Sequence, residues 1–100
     1  MIKHIVIWKL KEPAEGASKA ENALKVKTSL EELNGKIKGM RTLEVGININ
    51  DSPAAYDIAL YSEFDTVEDL KKYQEHPSHL KAGEIVGKVA FERKVVDYEV

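Results

Sequence analysis

The first ten residues alternate in a way that predicts a strand with an apolar row on each side. The segment IKHIVIWKL, residues 2 to 10, is rich in β-branched and aromatic residues and contains no glycine or proline, as is typical of strands. Alternation places Ile5 and Ile7 on one face. The other face carries a longer row: Ile2, His4, Val6, Trp8 and Leu10. A sheet face in water would show a polar row instead, so both faces of this strand must be covered.

A helix is predicted from about Ser18, where the apolar positions change to helical spacing. Its apolar stripe comprises Ala20, Ala23, Leu24, Leu30, Leu33 and Ile37. The pair Asn34-Gly35 predicts the C-terminal end, because these residues accept the left-handed backbone that closes many helices.

Two alternating runs separated by a turn predict a β-hairpin. In RTLEVGININ, residues 41 to 50, the apolar positions are Leu43, Val45, Ile47 and Ile49. The segment NDSPAA, residues 50 to 55, has the composition of a turn. After it, AYDIALYSEF alternates again and places on one side Tyr56, Ile58, Leu60 and Phe64.

The second helical region is predicted to begin at a capping box. Asp65 is an N-cap residue and Glu68 follows three positions later, a pattern that satisfies two N–H groups at a helix start. The apolar stripe of this helix is Val67, Leu70 and Tyr73. Pro77 disfavours helical geometry at His76, so the helix is predicted to end there.

A second short helix and a last strand complete the predicted elements. Pro77 suits the first turn of a new helix, which is predicted to run to about Val86 and to end near Gly87. The segment FERKVVDYEV, residues 91 to 100, predicts a strand with Glu92 and Lys94 on a partly exposed side.

The order βαββαβ is that of the α+β ferredoxin-like fold, a four-stranded antiparallel sheet with helices on one face. We expect one domain over residues 1–100. The uncovered apolar face would be an association surface, so we expect a homodimer in which two sheets close a dimeric α+β barrel. If the helices cover the face of Ile5 and Ile7, His4 points toward the dimer side.

Composition excludes several classes of partner. The net charge is −2 and the sequence pI is about 5.9, which gives no electrostatic footprint for nucleic acid or an anionic membrane. There is no cysteine, hence no disulfide and no thiolate site. The opening apolar run is interrupted by His4 and Lys9 and is too short for a signal peptide or membrane span. We therefore expect a cytoplasmic protein.

The segment YQEHPSHL, residues 73 to 80, carries the candidate chemistry. His79 could abstract a proton from a carbon next to a carbonyl, and Tyr73 could orient it or donate to the enolate oxygen. Residues six apart do not meet on a continuous helix, so the break at Pro77 is what would bring the two together. The alternative is that His79 makes a structural hydrogen bond and Tyr73 fills the apolar stripe.

Metal and cofactor signals are weak. The spacing of His76 and His79 lacks the glutamate of a zinc-protease motif, and the proline disturbs the helical register. His76 is expected to be a cap or turn residue. No serine lies in a nucleophile-elbow motif and no glycine pattern matches a phosphate loop. We expect neither a metal nor a cofactor.

The chain resembles the stress-responsive A/B barrel (Dabb) domain family. The resemblance rests on MIKHIVIWKLKE with its early His4, on the segment Y-x-x-H-P-x-H (here Tyr73 to His79), and on the Asp97-Tyr98 pair of the closing strand. It implies a dimeric α+β barrel. It also implies a link to a plant polyketide cyclase branch, in which residues matching Tyr73 and His79 form the acid–base pair.

The resemblance also implies that His4 lines the pocket. Because the same fold hosts monooxygenases and isomerases, the fold does not decide the activity. Two alternatives stay open. In the first, a cavity lined by His4, Trp8, Tyr73 and His79 binds a small apolar or aromatic carbonyl compound and catalyses cofactor-free proton transfer. In the second, the protein is a non-enzymatic, stress-associated stable dimer or binding protein.

Overall fold

Four strands and three helices follow one another in a computed structural model that describes all residues, 1–100. They are β1 (Ile2–Leu10), α1 (Lys19–Glu31), β2 (Met40–Ile47), β3 (Ile58–Phe64), α2 (Val67–Glu75), α3 (Pro77–Val89) and β4 (Ala90–Glu99). The strands form one sheet in the order β2-β3-β1-β4, and every neighbouring pair is antiparallel. This confirms the predicted ferredoxin-like fold. No helix is long and apolar enough to cross a membrane.

The helices cover the face of β1 that carries its even-numbered residues. All five of these side chains are buried: Ile2, His4, Val6, Trp8 and Leu10. The odd-numbered Ile5 and Ile7 lie on the uncovered face and are only half-buried. The prediction that His4 points toward the dimer side is therefore wrong. The longer apolar row, which includes Trp8, is the one that packs against the helices.

The uncovered face has an apolar centre and a charged margin. Ile5 pairs with Tyr61 of β3 and Val96 of β4, and partners directly across an antiparallel pair share a face. Lys3, paired with Glu63 and with Tyr98, lies on the same face toward one end. This surface, called the open face below, remains accessible in the single chain.

The helix α1 begins as its sequence predicts, and four of the six residues of its predicted apolar stripe are buried. Ser18 accepts from the Glu21 N–H, and the Glu21 side chain accepts from the Ser18 N–H, which completes a capping box. The buried apolar residues follow a 3-4 spacing: Ala23, Val26, Leu30, Leu33 and Ile37. Ala20 and Leu24 lie off this line and are exposed, so their place in the predicted stripe is wrong.

The boundary residues of α2 and α3 also differ from the prediction. Thr66, not Asp65, caps α2, and its hydroxyl accepts from the Asp69 N–H at 3.1 Å. The Asp65 carboxylate pairs with Arg41 instead. Helix α3 does not end near Gly87 but continues to Val89, a buried residue.

The hairpin is confirmed, with two differences at its turn end. Ile47 and Ile49 are exposed, because the ladder with β3 ends at Ile47. Tyr56 precedes β3 and lies under the ammonium group of Lys9, whose Nζ is 5.0 Å from the ring centroid. Tyr56 is therefore not part of the buried row that comprises Ile58, Leu60 and Phe64.

The outer edge of β2 is blocked by polar side chains from the α1 region. Asn34 donates to the Leu43 carbonyl at 2.8 Å and accepts from the Leu43 N–H at 3.1 Å. Glu31 accepts from the Val45 N–H at 3.0 Å, and Lys27 donates to the Val45 carbonyl at 2.5 Å. The other edge of the sheet, β4, has no side-chain partner on its backbone. An edge strand with unpaired backbone N–H and C=O groups is a template for pairing with another strand. Only the β4 edge of this sheet provides such a template.

We expect Gly39→Ala to destabilise the protein more than Gly35→Ala. Both glycines have positive φ, +84° and +80°, where a Cβ costs about 1–2 kcal/mol. A Cβ at Gly39 would also lie 2.3–2.7 Å from side-chain atoms of Asp69, whereas one at Gly35 meets nothing within 4 Å. Urea unfolding measures both losses. Equal losses would show that the approach of Asp69 imposes no constraint.

Candidate functional site

The break at Pro77 brings Tyr73 and His79 into contact. Helix α2 ends at His76, which has extended backbone, and α3 starts again at Pro77. As a result the rings of Tyr73 and His79 lie 4.4 Å apart between centroids and are tilted by 52°. The His79 Nδ1 lies 3.1 Å from the carbonyl oxygen of Gln74. A neutral imidazole with this partner donates from Nδ1 and keeps its lone pair on Nε2.

His4 reaches the same cluster from the sheet. Its ring centroid is 6.2 Å from that of Tyr73, in an edge-on arrangement. The β1–β4 register places Asp97 directly opposite His4, and the Asp97 carboxylate bonds to the His4 Nδ1. This carboxylate orients the ring and fixes its Nδ1 as the donor. His4 is buried, whereas Asp97 reaches the surface.

These residues line a cavity of about 320 Å³ between the sheet and α3. All four predicted residues contribute to it: His4, Trp8, Tyr73 and His79. The rest of the wall is largely apolar and comprises Val6, Leu30, Leu60, Gly83, Val86, Gly87, Ala90 and Phe91, together with the charged Glu92 and Arg93. Largely apolar concavities with a few convergent polar groups are typical of small-molecule sites.

Two glycines of α3 leave room for this cavity. Gly83 and Gly87 follow His79 at intervals of four residues, so the three lie on one helix face. A Cβ at either glycine would meet no atom within 4 Å. Glycine inside a helix costs about 1 kcal/mol relative to alanine, so packing does not account for these residues. The spacing 79, 83, 87 could have indicated the cavity from the sequence alone.

Burial sets the protonation of the Tyr73–His79 pair. Loss of solvation raises the pKa of Tyr73 to about 12, and the positive charge of Arg93 opposes this shift with a smaller effect. Burial also lowers the pKa of His79, opposed by its bond to the Gln74 carbonyl and helped by the nearby His4, Arg93 and His76. Near pH 7 the pair is therefore a neutral imidazole beside a protonated phenol.

The Tyr73 hydroxyl has no hydrogen-bond partner within the protein, although the residue is only 1% exposed. No side-chain nitrogen or oxygen is completely buried without a partner, so this hydroxyl must reach the cavity space. Buried tyrosine hydroxyls usually find a partner. The arrangement therefore provides a donor directed at whatever occupies the cavity.

Two groups of the site were missed by the sequence-based prediction: Asp97, which is the partner of the cavity residue His4, and Arg93, which lies at the cavity wall. Both follow from the β1–β4 register, which pairs His4 with Asp97 and Trp8 with Arg93. The alternation of FERKVVDYEV places Arg93 and Asp97 on one face of the strand, but only the β1–β4 register shows that this is the helix-covered face.

His76 is a cap residue, as expected. Its Nδ1 accepts from the Ser78 N–H at 3.0 Å. His76 and His79 both direct Nδ1 at backbone groups. No group of three or more histidine or acidic side chains is arranged to hold a metal ion.

The fold and cavity define a class: ferredoxin-like α+β domains with a largely apolar cavity between the sheet and the helices. The sequence model described as the Stress Responsive A/B Barrel Domain (Dabb) matches residues 2–100. The chain belongs to this family.

Three similar proteins match this chain over nearly its whole length. An uncharacterized protein of Streptomyces coelicolor is 36% identical over 100 residues, which cover 99% of each chain. A dimeric protein of unknown function from Bacteroides fragilis, with a ferredoxin-like fold, is 41% identical with a TM-score of 0.81, over 99% of this chain and 95% of that one. A dimeric ferredoxin-like protein from Thermobifida fusca is 22% identical with a TM-score of 0.84, and the match covers 99% of this chain and 90% of that one.

We expect His79 to make the folded state less stable in acid. Its pKa lies below the ordinary 6.5 in the folded chain, so the unfolded chain binds this proton first as pH falls. The free energy of unfolding therefore declines from about pH 6.5 downward and levels off once pH passes the lowered pKa. Urea unfolding from pH 8 to 5 should show a shallower decline for His79→Gln. Identical slopes in the two proteins would contradict the burial of a neutral imidazole.

Proposed function

We propose that the cavity binds a small apolar or aromatic carbonyl compound and catalyses cofactor-free proton transfer on it, in the manner of a polyketide cyclase. The observation that carries the proposal is the unpartnered Tyr73 hydroxyl beside the neutral imidazole of His79 in an apolar cavity. A base with a free lone pair and an acid with a free proton are the two groups that enolate chemistry requires.

In the proposed reaction His79 is the general base. Its Nε2 takes a proton from the carbon next to the substrate carbonyl, and the electron pair moves onto the carbonyl oxygen. Tyr73 donates a hydrogen bond to that oxygen as its negative charge grows, which lowers the barrier most where water is excluded. The enolate carbon can then attack a second carbonyl of the same molecule, with the proton returned from His79 to the new alkoxide.

His4 and Trp8 have supporting roles in this proposal. The Asp97 carboxylate fixes the orientation of His4, so its Nε2 can hold a polar group of the substrate. Trp8 supplies a flat apolar wall. The volume of about 320 Å³ lies at the lower end for ligand sites, which favours a compound of one or two rings.

We further propose that the protein is a homodimer joined through the open face, so that two sheets close an α+β barrel. The apolar centre around Ile5, Tyr61 and Val96 gives the contact area, and a relative 41% identical is dimeric. The unblocked β4 edge borders the same surface. Residues 1–100 would then act as one domain in the cytoplasm.

The catalytic proposal is tested first by measuring ligand binding and then by measuring exchange of the ligand's α-protons for deuterium. Thermal-shift screening against aromatic ketones and polyketide-like ligands should show stabilisation, since binding to the folded state alone raises the melting temperature. A ligand that binds should then exchange its α-protons for deuterium in D₂O, followed by ¹H NMR. His79→Ala should reduce this exchange at least about 100-fold, the usual size of a general-base contribution.

Matched variants separate the roles. Tyr73→Phe removes only the hydroxyl and should slow exchange while retaining binding. Gly83→Leu should fill the cavity and abolish binding with little loss of stability, because the position has open space around it. A ligand that binds without exchange in the wild type would indicate a non-enzymatic binding protein. No ligand response, with stability lost in His79→Ala, would indicate a structural role for this cluster.

The dimer is tested by sedimentation velocity at micromolar concentration. The wild type should sediment at twice the chain mass of 11.2 kDa. Ile5→Glu, at the centre of the open face, should dissociate it, because a buried unpaired charge is strongly unfavourable. Leu24→Glu is the matched control, since Leu24 is 58% exposed on the outer side of α1. A wild type that sediments as one chain would refute the dimer.

A further inference from the structure

Arg93 gives the cavity a cationic group without a counter-charge. It lies opposite Trp8 in the β1–β4 register and therefore on the helix-covered face, where it lines the cavity. Its side chain makes no ion pair, whereas every salt bridge of the chain involves other residues: Lys3–Glu63, His4–Asp97, Lys19–Asp57, Lys27–Glu31 and Arg41–Asp65. It makes no side-chain hydrogen bond either.

The other charged residue of the cavity wall does not neutralise Arg93. Glu92 is adjacent in the strand and so points to the opposite face of the sheet. There it lies across from Lys9 and accepts from the Tyr56 hydroxyl. The Asp97 carboxylate is engaged by His4. No carboxylate of the chain pairs with Arg93, so the cavity favours a ligand of negative charge.

The charge of Arg93 reaches the reactive pair. It lowers the pKa of Tyr73 and of His79. Because Arg93, Tyr73 and His79 line the same cavity of about 320 Å³, a single ligand can contact all three groups.

We propose that the ligand is an oxo-carboxylic acid with an apolar or aromatic body, whose carboxylate binds Arg93 while its carbonyl lies between Tyr73 and His79. This inference rests on the proposed function and adds the anionic group. A guanidinium matches a carboxylate through two parallel hydrogen bonds. Because Arg93 is exposed, solvent weakens the pair, and a preference of up to about fivefold for the anion is the expected size.

The test compares two probes that differ only in charge, 4-oxo-4-phenylbutanoate and its neutral amide, by calorimetry. Quenching of Trp8, the single tryptophan of the chain and a cavity residue, reports that binding occurs in this cavity. The wild type should bind the carboxylate up to about fivefold more tightly than the amide. Arg93→Gln should remove that difference by weakening the carboxylate alone, and Arg93→Lys should restore part of it.

Lys94→Gln is the control, because it removes the same charge from the next residue, on the opposite face of the sheet. It should leave both affinities unchanged. Equal binding of the two probes in the wild type, unaffected by Arg93→Gln, would overturn the inference and leave the proposed cavity function standing. A failure of both probes to bind the wild type would overturn the cavity function and this inference together.

Discussion

The antiparallel pairing of β1 with β4 is the interaction on which the site depends. It places Asp97 opposite His4 and Arg93 opposite Trp8. Since side chains alternate along a strand, a slip of one residue would turn both charged groups to the open face. His4 would then be a buried histidine without its carboxylate. Two strands from opposite ends of the chain thus determine the polarity of the cavity.

Helices α2 and α3 contribute chemistry and open space to the site. The break at Pro77 rotates His79 onto Tyr73, and the two glycines that follow leave open volume where larger side chains would fill the wall. Elsewhere the buried polar residues are satisfied: Asn22 donates to the Ala14 carbonyl at 2.9 Å, and Ser62 to the His4 carbonyl at 3.3 Å. The Tyr73 hydroxyl, by contrast, has no hydrogen-bond partner in the protein. Such departures from local rules are typical of functional sites.

The sequence predicted the elements and their order because periodicity changes sharply between strand and helix segments. It also indicated how Tyr73 and His79 could meet, because Pro77 interrupts the helix between them. It could not show which face of β1 the helices cover, because both faces are apolar, and His4 was placed on the wrong side for that reason. Arg93 and Asp97 were missed because their role depends on pairing across some ninety residues, which local pattern does not contain.

The side chains that block the outer edge of β2 have a consequence for how copies of this protein can associate. Lys27, Glu31 and Asn34 occupy the backbone groups that another strand would need. A sheet with two free margins can add protomers without limit, as fibrils do. Here one margin is sealed, so any growth of the sheet by strand addition must stop after β4 has met a second β4. The same residues that fasten α1 to the sheet thereby restrict strand-mediated association to a closed pair.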